Sequence, residues 1–275
     1  MIKICQRSFS GSSRHLFLKK LQQHVNNTAP KEHVVKELLK PVGLDVAPRA
    51  STRYREGNSF KDMFNDAKTS ERARELEVEF SRGGFYDVYT FRKTKGKLFL
   101  SPASYWRQDK ALYFPHIQGR SLADSKTQNV EDSLRGKVSV VRAFTSEVGE
   151  TLGRSYFEHD GKNYLQCEDG FRGAQIVEVN LTENFLKSLI VKLSLASLRQ
   201  YVPGERHDRY FICRRDQLPF ETRDKLQMNN LFTSYIFVVD PDLKIRWMAC
   251  GGADDKDREL FSNCVKGVVK ECSKP

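Results

Sequence analysis

From residue 134 to its C-terminus, the sequence alternates short apolar runs with stretches of helix-forming residues, and this order most restricts the fold. The runs "KVSVVRAF" (137–144), "AQIVEVNL" (174–181) and "RYFICR" (209–214) predict three strands. "SYIFVVD" and "KIRWMACGG" are two further strands, and the turn residues of "PDL" join them as an antiparallel hairpin. "DDKDRELFSNCVKGVVKE" (254–271) closes the chain as an acid-started helix. The alternation predicts an α/β fold with a mixed sheet and helices on both faces.

Three helical stretches separate these strands. The first begins at about Glu150, the second runs from about Thr182 to Gln200, and the third is "PFETRDKLQM" (219–228). The second contains the most apolar run of the chain, "NFLKSLIVKLSLASL" (184–198), which two lysines interrupt. It is shorter than the roughly 20 residues that cross a bilayer, so we expect a core-facing amphipathic helix rather than a membrane span.

The residues before 133 predict a different organisation. Residues 31–57 contain Pro and Gly at four positions and predict an extended lead-in. A helix is expected from residue 58 to about 82, where a Gly-Gly pair ends it. "FYDVYTFRK" and "KLFLS" flank "TKG" and predict a β-hairpin. We therefore divide the chain into an N-terminal leader (1–30), this lead-in, an α+β extension (58–132) made of a helix and a β-hairpin, and an α/β domain (133–275).

The leader is basic and contains no acidic residue. Residues 1–30 hold five Lys or Arg, several Ser and apolar residues that share part of a helical face. This composition is typical of a mitochondrial transit peptide, and a disordered basic tail is the alternative. The α/β domain holds 22 basic and 20 acidic residues, so it contributes only +2 of the net charge of +11. We therefore expect no nucleic-acid partner.

The cysteines and histidines form no recognisable motif. The six cysteines include no CxxC pair, and the six histidines are scattered singly. Structural zinc sites need four nitrogen or sulfur ligands in close pairs, so the sequence predicts no metal and no cofactor. In a chain with an organelle-type leader, scattered cysteines are expected to be reduced thiols.

Several stretches resemble known families. "SYIFVVDPDLKIRWMACGG" resembles the last hairpin of the thioredoxin/peroxiredoxin-like fold. "YFPHIQGRSLAD" (113–124), "LRGKVSVVRAFTSEVGE" (134–150) and "NNLFTSYIFVVDPDLKIRWMACG" (229–251) resemble the mitochondrial ATP synthase assembly factors of the ATPase complex subunit ten family. The resemblance implies a non-enzymatic chaperone for the membrane (Fo) sector, peripheral on the matrix side of the inner membrane. Its client would be newly made subunit six, which it helps to join the ring of proton-carrying subunits.

The resemblance to thioredoxin-like proteins also shows what this chain lacks. In those proteins the two reactive cysteines lie at a turn between a strand and the following helix. The matching strand of this chain ends at Phe144, and the two cysteine positions correspond to Gly149 and Leu152. The proline that faces this site in those proteins is replaced by Phe232. Dithiol chemistry is therefore not expected at this turn. A thiol oxidoreductase that uses other cysteines remains the alternative function.

Two surfaces are predicted to hold a hydrophobic client segment, and ordinary loops are the alternative for each. The first is the strand-to-helix turn with the segment that faces it. It comprises Phe144, Thr145, Ser146, Glu147, Gly149, Phe232 and Thr233. The second is the basic tip of the hairpin, with Arg92, Lys93 and Lys95. Its basic residues also suit anionic lipid headgroups at the inner membrane.

Overall fold

The computed structural model describes residues 35–52, 54, 85–159, 161–167, 170–182 and 195–273. The predicted leader (1–30) and the helix predicted over 58–82 lie outside these residues, as does the start of the helix predicted to end at Gln200. The strands in the described part are β1 Lys36–Glu37, β2 Phe99–Leu100, β3 Leu112–Tyr113, β4 Gln118–Ser121, β5 Thr127–Asn129, β6 Ser139–Phe144, β7 Glu158–His159, β8 Lys162–Asn163, β9 Gln175–Thr182, β10 Tyr210–Arg214, β11 Ser234–Val239 and β12 Lys244–Cys250. The α-helices are α1 Phe85–Thr94, α2 Val130–Leu134, α3 Glu147–Arg154, α4 Leu195–Tyr201, α5 Phe220–Lys225 and α6 Asp255–Cys272.

A mixed sheet of eight strands forms the centre of the molecule, in the order β3-β12-β11-β6-β9-β10-β4-β5. Strands β6, β9 and β10 are parallel to one another. Strand β11 runs antiparallel to β6 and forms the predicted antiparallel hairpin with β12, so β12 has the same direction as β6. The chain order β6-α3-β9 followed by β11-β12-α6 is that of a thioredoxin-like fold. The predicted fold class is therefore confirmed.

Alternate residues of the central strands face opposite sides of the sheet, as the pleat requires. On one side Val141 and Phe237 pack in a cluster that includes Leu226. On the other side Ile236 packs in a second cluster with Phe261 of helix α6. Burial on both faces explains why these strands read as continuous apolar runs in the sequence.

Two of the helices that flank the sheet, α3 and α6, begin at polar caps. Helix α3 begins at Glu147, three residues earlier than expected, because the hydroxyl of Ser146 accepts a hydrogen bond from the backbone N–H of Gly149 (3.1 Å). Helix α6 begins after Asp254, whose carboxylate accepts from the N–H of Asp257 at 2.8 Å, while Asp257 accepts in return at 3.1 Å. This reciprocal capping box confirms the predicted acid-started helix.

The predicted β-hairpin between residues 85 and 101 is wrong. Residues Phe85–Thr94 form helix α1, and only Phe99–Leu100 is extended, pairing in parallel with β1. The "TKG" turn ends this helix, since Lys95 and Gly96 have φ angles of 52° and 84°. A left-handed residue of this kind is a common helix C-cap. The β-favouring aromatics are overridden because tertiary contacts hold the helix in place.

The described parts of the lead-in and of the extension pack with the sheet. Val42 is buried in the core, and Leu44 bridges to Tyr113 at the edge of the sheet, so the extended lead-in packs against the domain. Strands β3, β4 and β5 precede residue 133 and are part of the eight-stranded sheet. The sheet thus continues across the boundary that the sequence places between residues 132 and 133. None of the helices in the described part of the chain has the length and apolar character needed to cross a bilayer.

Candidate functional site

The strand-to-helix turn and the segment before β11 lie together at one end of the sheet, as expected. Strand β11 is antiparallel to β6, and Ser234 is the register partner of Phe144. The approach is close: a Cβ atom built on Gly149 would lie 2.6 Å from the carbonyl oxygen of Thr233. Any residue larger than glycine at this position would therefore require the backbone of α3 or of the facing segment to move.

The residues of this first predicted surface differ in their exposure. Phe144 is buried against Tyr210 and Ile212, and Thr233 is fully buried. Gly149 is also buried. By contrast Thr145, Ser146 and Phe232 are half-buried and Glu147 is exposed. A client that docks here without rearrangement of the core meets only the last four of these side chains.

Helix α1 covers this end of the sheet. The ring of Phe91 lies 6.1 Å from that of Phe232, and the hydroxyl of Thr233 donates a hydrogen bond to the carbonyl of Gly96 at 2.7 Å. Leu152, at the second of the two cysteine positions of thioredoxin-like proteins, lies close to the turn at Gly96. A Cβ atom built on Gly96 would lie 2.9 Å from the Cδ1 atom of Leu152. The first surface predicted to hold a client segment is therefore partly covered by helix α1 and its C-terminal turn.

Asp87 holds helix α1 in this position. Its carboxylate is buried and accepts a hydrogen bond from the backbone N–H of Leu231 at 3.1 Å. The side-chain amide of Asn230 donates to the carbonyl of Asp87 at 2.8 Å. Just beyond the helix, Lys97 forms an ion pair with Asp257 of helix α6. These contacts join residues more than 130 positions apart in the sequence, and no local pattern predicts them.

The second predicted surface therefore lies beside the first. Arg92, Lys93 and Lys95 are exposed, but on helix α1 and its C-terminal turn rather than at a hairpin tip. The ammonium of Lys93 lies 5.7 Å from the centre of the Tyr89 ring on the same helix. The two surfaces predicted separately are thus joined through the contacts of α1 and its turn with the segment at Phe232 and Thr233, and we treat them together. We call the combined surface the α1 surface: Arg92, Lys93 and Lys95 together with Thr145, Ser146, Glu147 and Phe232.

Three of the described cysteines, Cys213, Cys250 and Cys264, are buried and poorly placed for thiol chemistry. Cys213 and Cys250 are fully buried, in strands β10 and β12 that three other strands separate. Burial raises the pKa of the Cys213 thiol above its ordinary range and that of Cys250 to about 12. Burial likewise raises the pKa of Cys264 to about 12. These thiols remain protonated at neutral pH, and the thiolate is the reactive form.

Sequence reasoning did not identify a group of charged residues buried beneath helix α3. Arg142 of β6 and Glu178 of β9 are register partners and form an ion pair in the interior. The available signal was a single charged residue within each of two apolar strands, "VSVVRAF" and "QIVEVNL". Buried charges are normally paired, and the two strands were expected to lie in one sheet.

The comparisons with known proteins agree with the resemblance drawn from the sequence. The family model described as "ATP10 protein" matches residues 22–268. A relative from Eremothecium gossypii, "Mitochondrial ATPase complex subunit ATP10", is 54% identical over 270 residues, covering 98% of each chain. The relative of that name from Saccharomyces cerevisiae is 49% identical over 265 residues, covering 92% of this chain and 95% of its own.

Solved structures also align with the chain. One is a thiol:disulfide interchange protein from Bacteroides sp., which is 15% identical with a TM-score of 0.38 and covers 60% of this chain and 92% of its own. Another is a secreted thiol-disulfide isomerase from Corynebacterium glutamicum. It is 14% identical with a TM-score of 0.36 and covers 60% of this chain and 90% of its own.

Proposed function

Because this chain belongs to the ATP10 protein family, we propose that it is a mitochondrial assembly factor for ATP synthase. The observation that carries this proposal is the match along 98% of both chains to a relative named as a mitochondrial ATPase complex subunit. A shared architecture over the whole length supports a shared role better than a match to one domain. The buried, protonated thiols support a role in binding rather than in redox catalysis.

We propose further that the protein is a chaperone for newly made subunit six and promotes its association with the ring of proton-carrying subunits. It would act as a peripheral protein on the matrix side of the inner membrane. Its client contact would be the α1 surface, because the residues enclosed beneath helix α1 cannot reach a partner. This surface combines three exposed basic residues with the half-buried ring of Phe232. Such a combination suits a client segment that leaves the membrane near anionic headgroups.

A site-specific photo-crosslinker tests the contact. We would place it at Lys93 on the α1 surface, in intact mitochondria in which newly made, mitochondrially encoded proteins are labelled. The matched control position is Lys137, which is also exposed and precedes β6 at the other end of the sheet. Phe144 lies seven positions after Lys137, a distance of about 23 Å along a strand. We expect a crosslink to subunit six from position 93 and none from position 137.

Depletion of the protein provides the second half of this test. Subunit six should then accumulate without joining the ring. Normal assembly of subunit six after depletion, together with no crosslink from either position, would refute the chaperone proposal. It would return attention to the thiol oxidoreductase alternative.

Substitutions separate the client from the membrane. Reversing Arg92, Lys93 and Lys95 to Glu changes exposed side chains only, so the fold should survive. We expect the subunit six crosslink to be lost. If the triple variant loses binding to anionic vesicles but keeps the crosslink, the basic residues serve the membrane, and their proposed role in client contact is wrong.

Phe232→Asp tests the apolar part of the α1 surface. It should weaken the crosslink while circular dichroism shows that the fold is retained. Normal client binding by a folded Phe232→Asp variant would exclude Phe232 from the contact.

A further inference from the structure

A compact ion cluster lies beneath helix α3, apart from the α1 surface. Glu178 accepts hydrogen bonds from two arginines on different elements. Arg142 lies on the neighbouring strand β6, and Arg206 lies on a short 3-10 helix at residues 204–209. All three side chains are only 3–4% exposed. Burial alone would raise the pKa of Glu178, but the two guanidinium groups together outweigh it and hold the pKa below its ordinary value.

The cluster carries an excess of one positive charge. Two further side chains border it, Glu150 and Arg154 of helix α3, and they bind each other at 2.9 Å. Glu150 remains 3.7 Å from Arg142, beyond hydrogen-bond distance. Among the described residues, three arginines thus face two carboxylates, an excess of one positive charge. Burial lowers the pKa of Arg206, and repulsion from Arg142 lowers it further, although the attraction of Glu178 opposes the shift.

One hydrogen-bond donor of this cluster is unused. The Nε atom of Arg206 is buried and has no hydrogen-bond partner among the described residues. Its two other guanidinium nitrogens donate to the carbonyl of Leu165 and to Glu178. Buried donors in folded proteins are almost always satisfied, by protein, water or a ligand. An unpaired donor beside an excess positive charge therefore indicates a place for an acceptor that carries negative charge.

A cavity of about 60 Å³ opens on these groups. A single water needs roughly 10–15 Å³ by this measure, so the cavity has room for a group of several heavy atoms. Arg142, Arg154 and Arg206 line it together with the two carboxylates. The lining also includes a largely apolar wall formed by Leu198, Tyr201, Val202 and Pro203.

The side chains at this wall are arranged around an opening. Tyr201 is 53% exposed, and the guanidinium of Arg154 lies 5.4 Å from the centre of its ring. Planar guanidinium groups bind carboxylates and phosphates through paired hydrogen bonds. The wall then provides a contact for whatever apolar group carries the oxyanion.

We propose that this pocket binds a small oxyanion, the chemistry shared by a carboxylate and a phosphate group. Arg206 Nε donates one hydrogen bond to it, Arg154 closes the mouth, and the anion balances the excess positive charge of the cluster. The site is separate from the proposed client contact and does not depend on the assembly role. It also differs from a purely structural ion cluster, because it predicts a saturable response to an added anion.

Thermal unfolding of the full chain tests the proposal. Tm is measured against increasing sodium formate or sodium phosphate, with sodium chloride at matched ionic strength as the reference. Three variants accompany the wild type: Arg154→Met makes the pocket neutral, Glu150→Gln raises its excess charge to +2, and Arg258→Met is the control. Arg258 on helix α6 is comparable in exposure to Arg154 and also pairs with a carboxylate within its helix.

We expect a saturable rise in Tm of the wild type with formate, phosphate or both, and the anion that acts identifies the source. Glu150→Gln should reach half-saturation at an anion concentration about tenfold lower, because a charge change within roughly 10 Å alters affinity by this order. Arg154→Met should lose the response, and Arg258→Met should keep it. If Arg154→Met does not fold, the anion concentration at half-saturation in Glu150→Gln is by itself the test of the proposal. No saturable effect beyond that of chloride, or equal responses in all variants, would overturn the proposal.

Discussion

Replacing Glu178 by Gln should destabilise this protein far more than any single surface charge change. The substitution keeps the shape of the side chain but removes the one carboxylate that neutralises both Arg142 and Arg206, which are each 97% buried. Removing one partner of a buried ion pair costs about 3–5 kcal/mol, because the remaining charge is left uncompensated in the interior. Whole domains are stable by only about 5–15 kcal/mol, so this is a large fraction of the total.

Equilibrium urea unfolding and calorimetry measure the effect. For a chain of this size, each kcal/mol corresponds to about 2–4 °C in Tm, so a fall of roughly 6–20 °C is expected for Glu178→Gln. Asp216→Asn is the matched control. It removes the carboxylate of the exposed pair with Arg214, whose side chains are 64% and 45% accessible, and surface pairs contribute less than about 1 kcal/mol. Equal losses of stability in the two variants would refute the argument that burial makes the Glu178 cluster important.

The pH dependence provides an independent check. The pKa of Glu178 lies below its ordinary value of 4.5 because two guanidinium groups outweigh the effect of burial. A carboxylate with a lowered pKa stabilises the fold fully above its unfolded pKa and loses that contribution as pH falls through the folded value. The difference in stability between wild type and Glu178→Gln should therefore be constant near neutral pH and shrink only below about pH 4.5. A difference that stays constant down to pH 3 would contradict this origin.

Three further predictions concern packing, capping and thiols. Gly149→Val places a Cβ 2.6 Å from a backbone oxygen and should lower the free energy of unfolding by about 1–3 kcal/mol. Gly204→Ala, with nothing within 4 Å of its Cβ, should change it by no more than about 0.5 kcal/mol in the same urea titration. Asp254→Ala removes the capping box of α6 and should cost about 1 kcal/mol, which an unchanged urea midpoint would contradict. Iodoacetamide at pH 7.5 should modify Cys213 and Cys250 only after unfolding, and rapid native alkylation seen by mass spectrometry would revive the oxidoreductase alternative.

The sheet could be predicted from the sequence because its strands are buried on both faces. Such strands appear as nearly continuous apolar runs, and the sequence predicts the bounds of β6, β9, β10, β11 and β12 to within two residues. Helix α1 could not be predicted in this way. Its aromatic residues favour strands, and its helical state is accompanied by contacts with residues 230–233, far away in the sequence. Local propensity gives the wrong answer where a distant contact decides the structure.

The candidate site was predictable only in part, for the same reason. Strand order brings the turn after Phe144 to the segment at Phe232 and Thr233, and the sequence was sufficient to place these together. It could not show that helix α1 lies over them. Nor could it show that Arg142 and Glu178 face each other, because the register of two parallel strands is not encoded in either strand alone.

The absence of a cysteine at position 149 and the close packing at this end of the sheet are two aspects of one arrangement. Gly149 allows the backbone of Thr233 to approach α3, and a cysteine there would place its Cβ within 2.6 Å of the facing carbonyl oxygen. Gly251, with a φ of +75°, allows the turn at Gly96 to approach in the same way, since a Cβ on it would lie 2.7 Å from the Gly96 carbonyl oxygen. These glycines let the turn at the end of α1 pack closely against this end of the sheet. Introducing a cysteine at position 149 would therefore disturb this packing rather than create a redox site. A partner is expected to contact the outer face of α1.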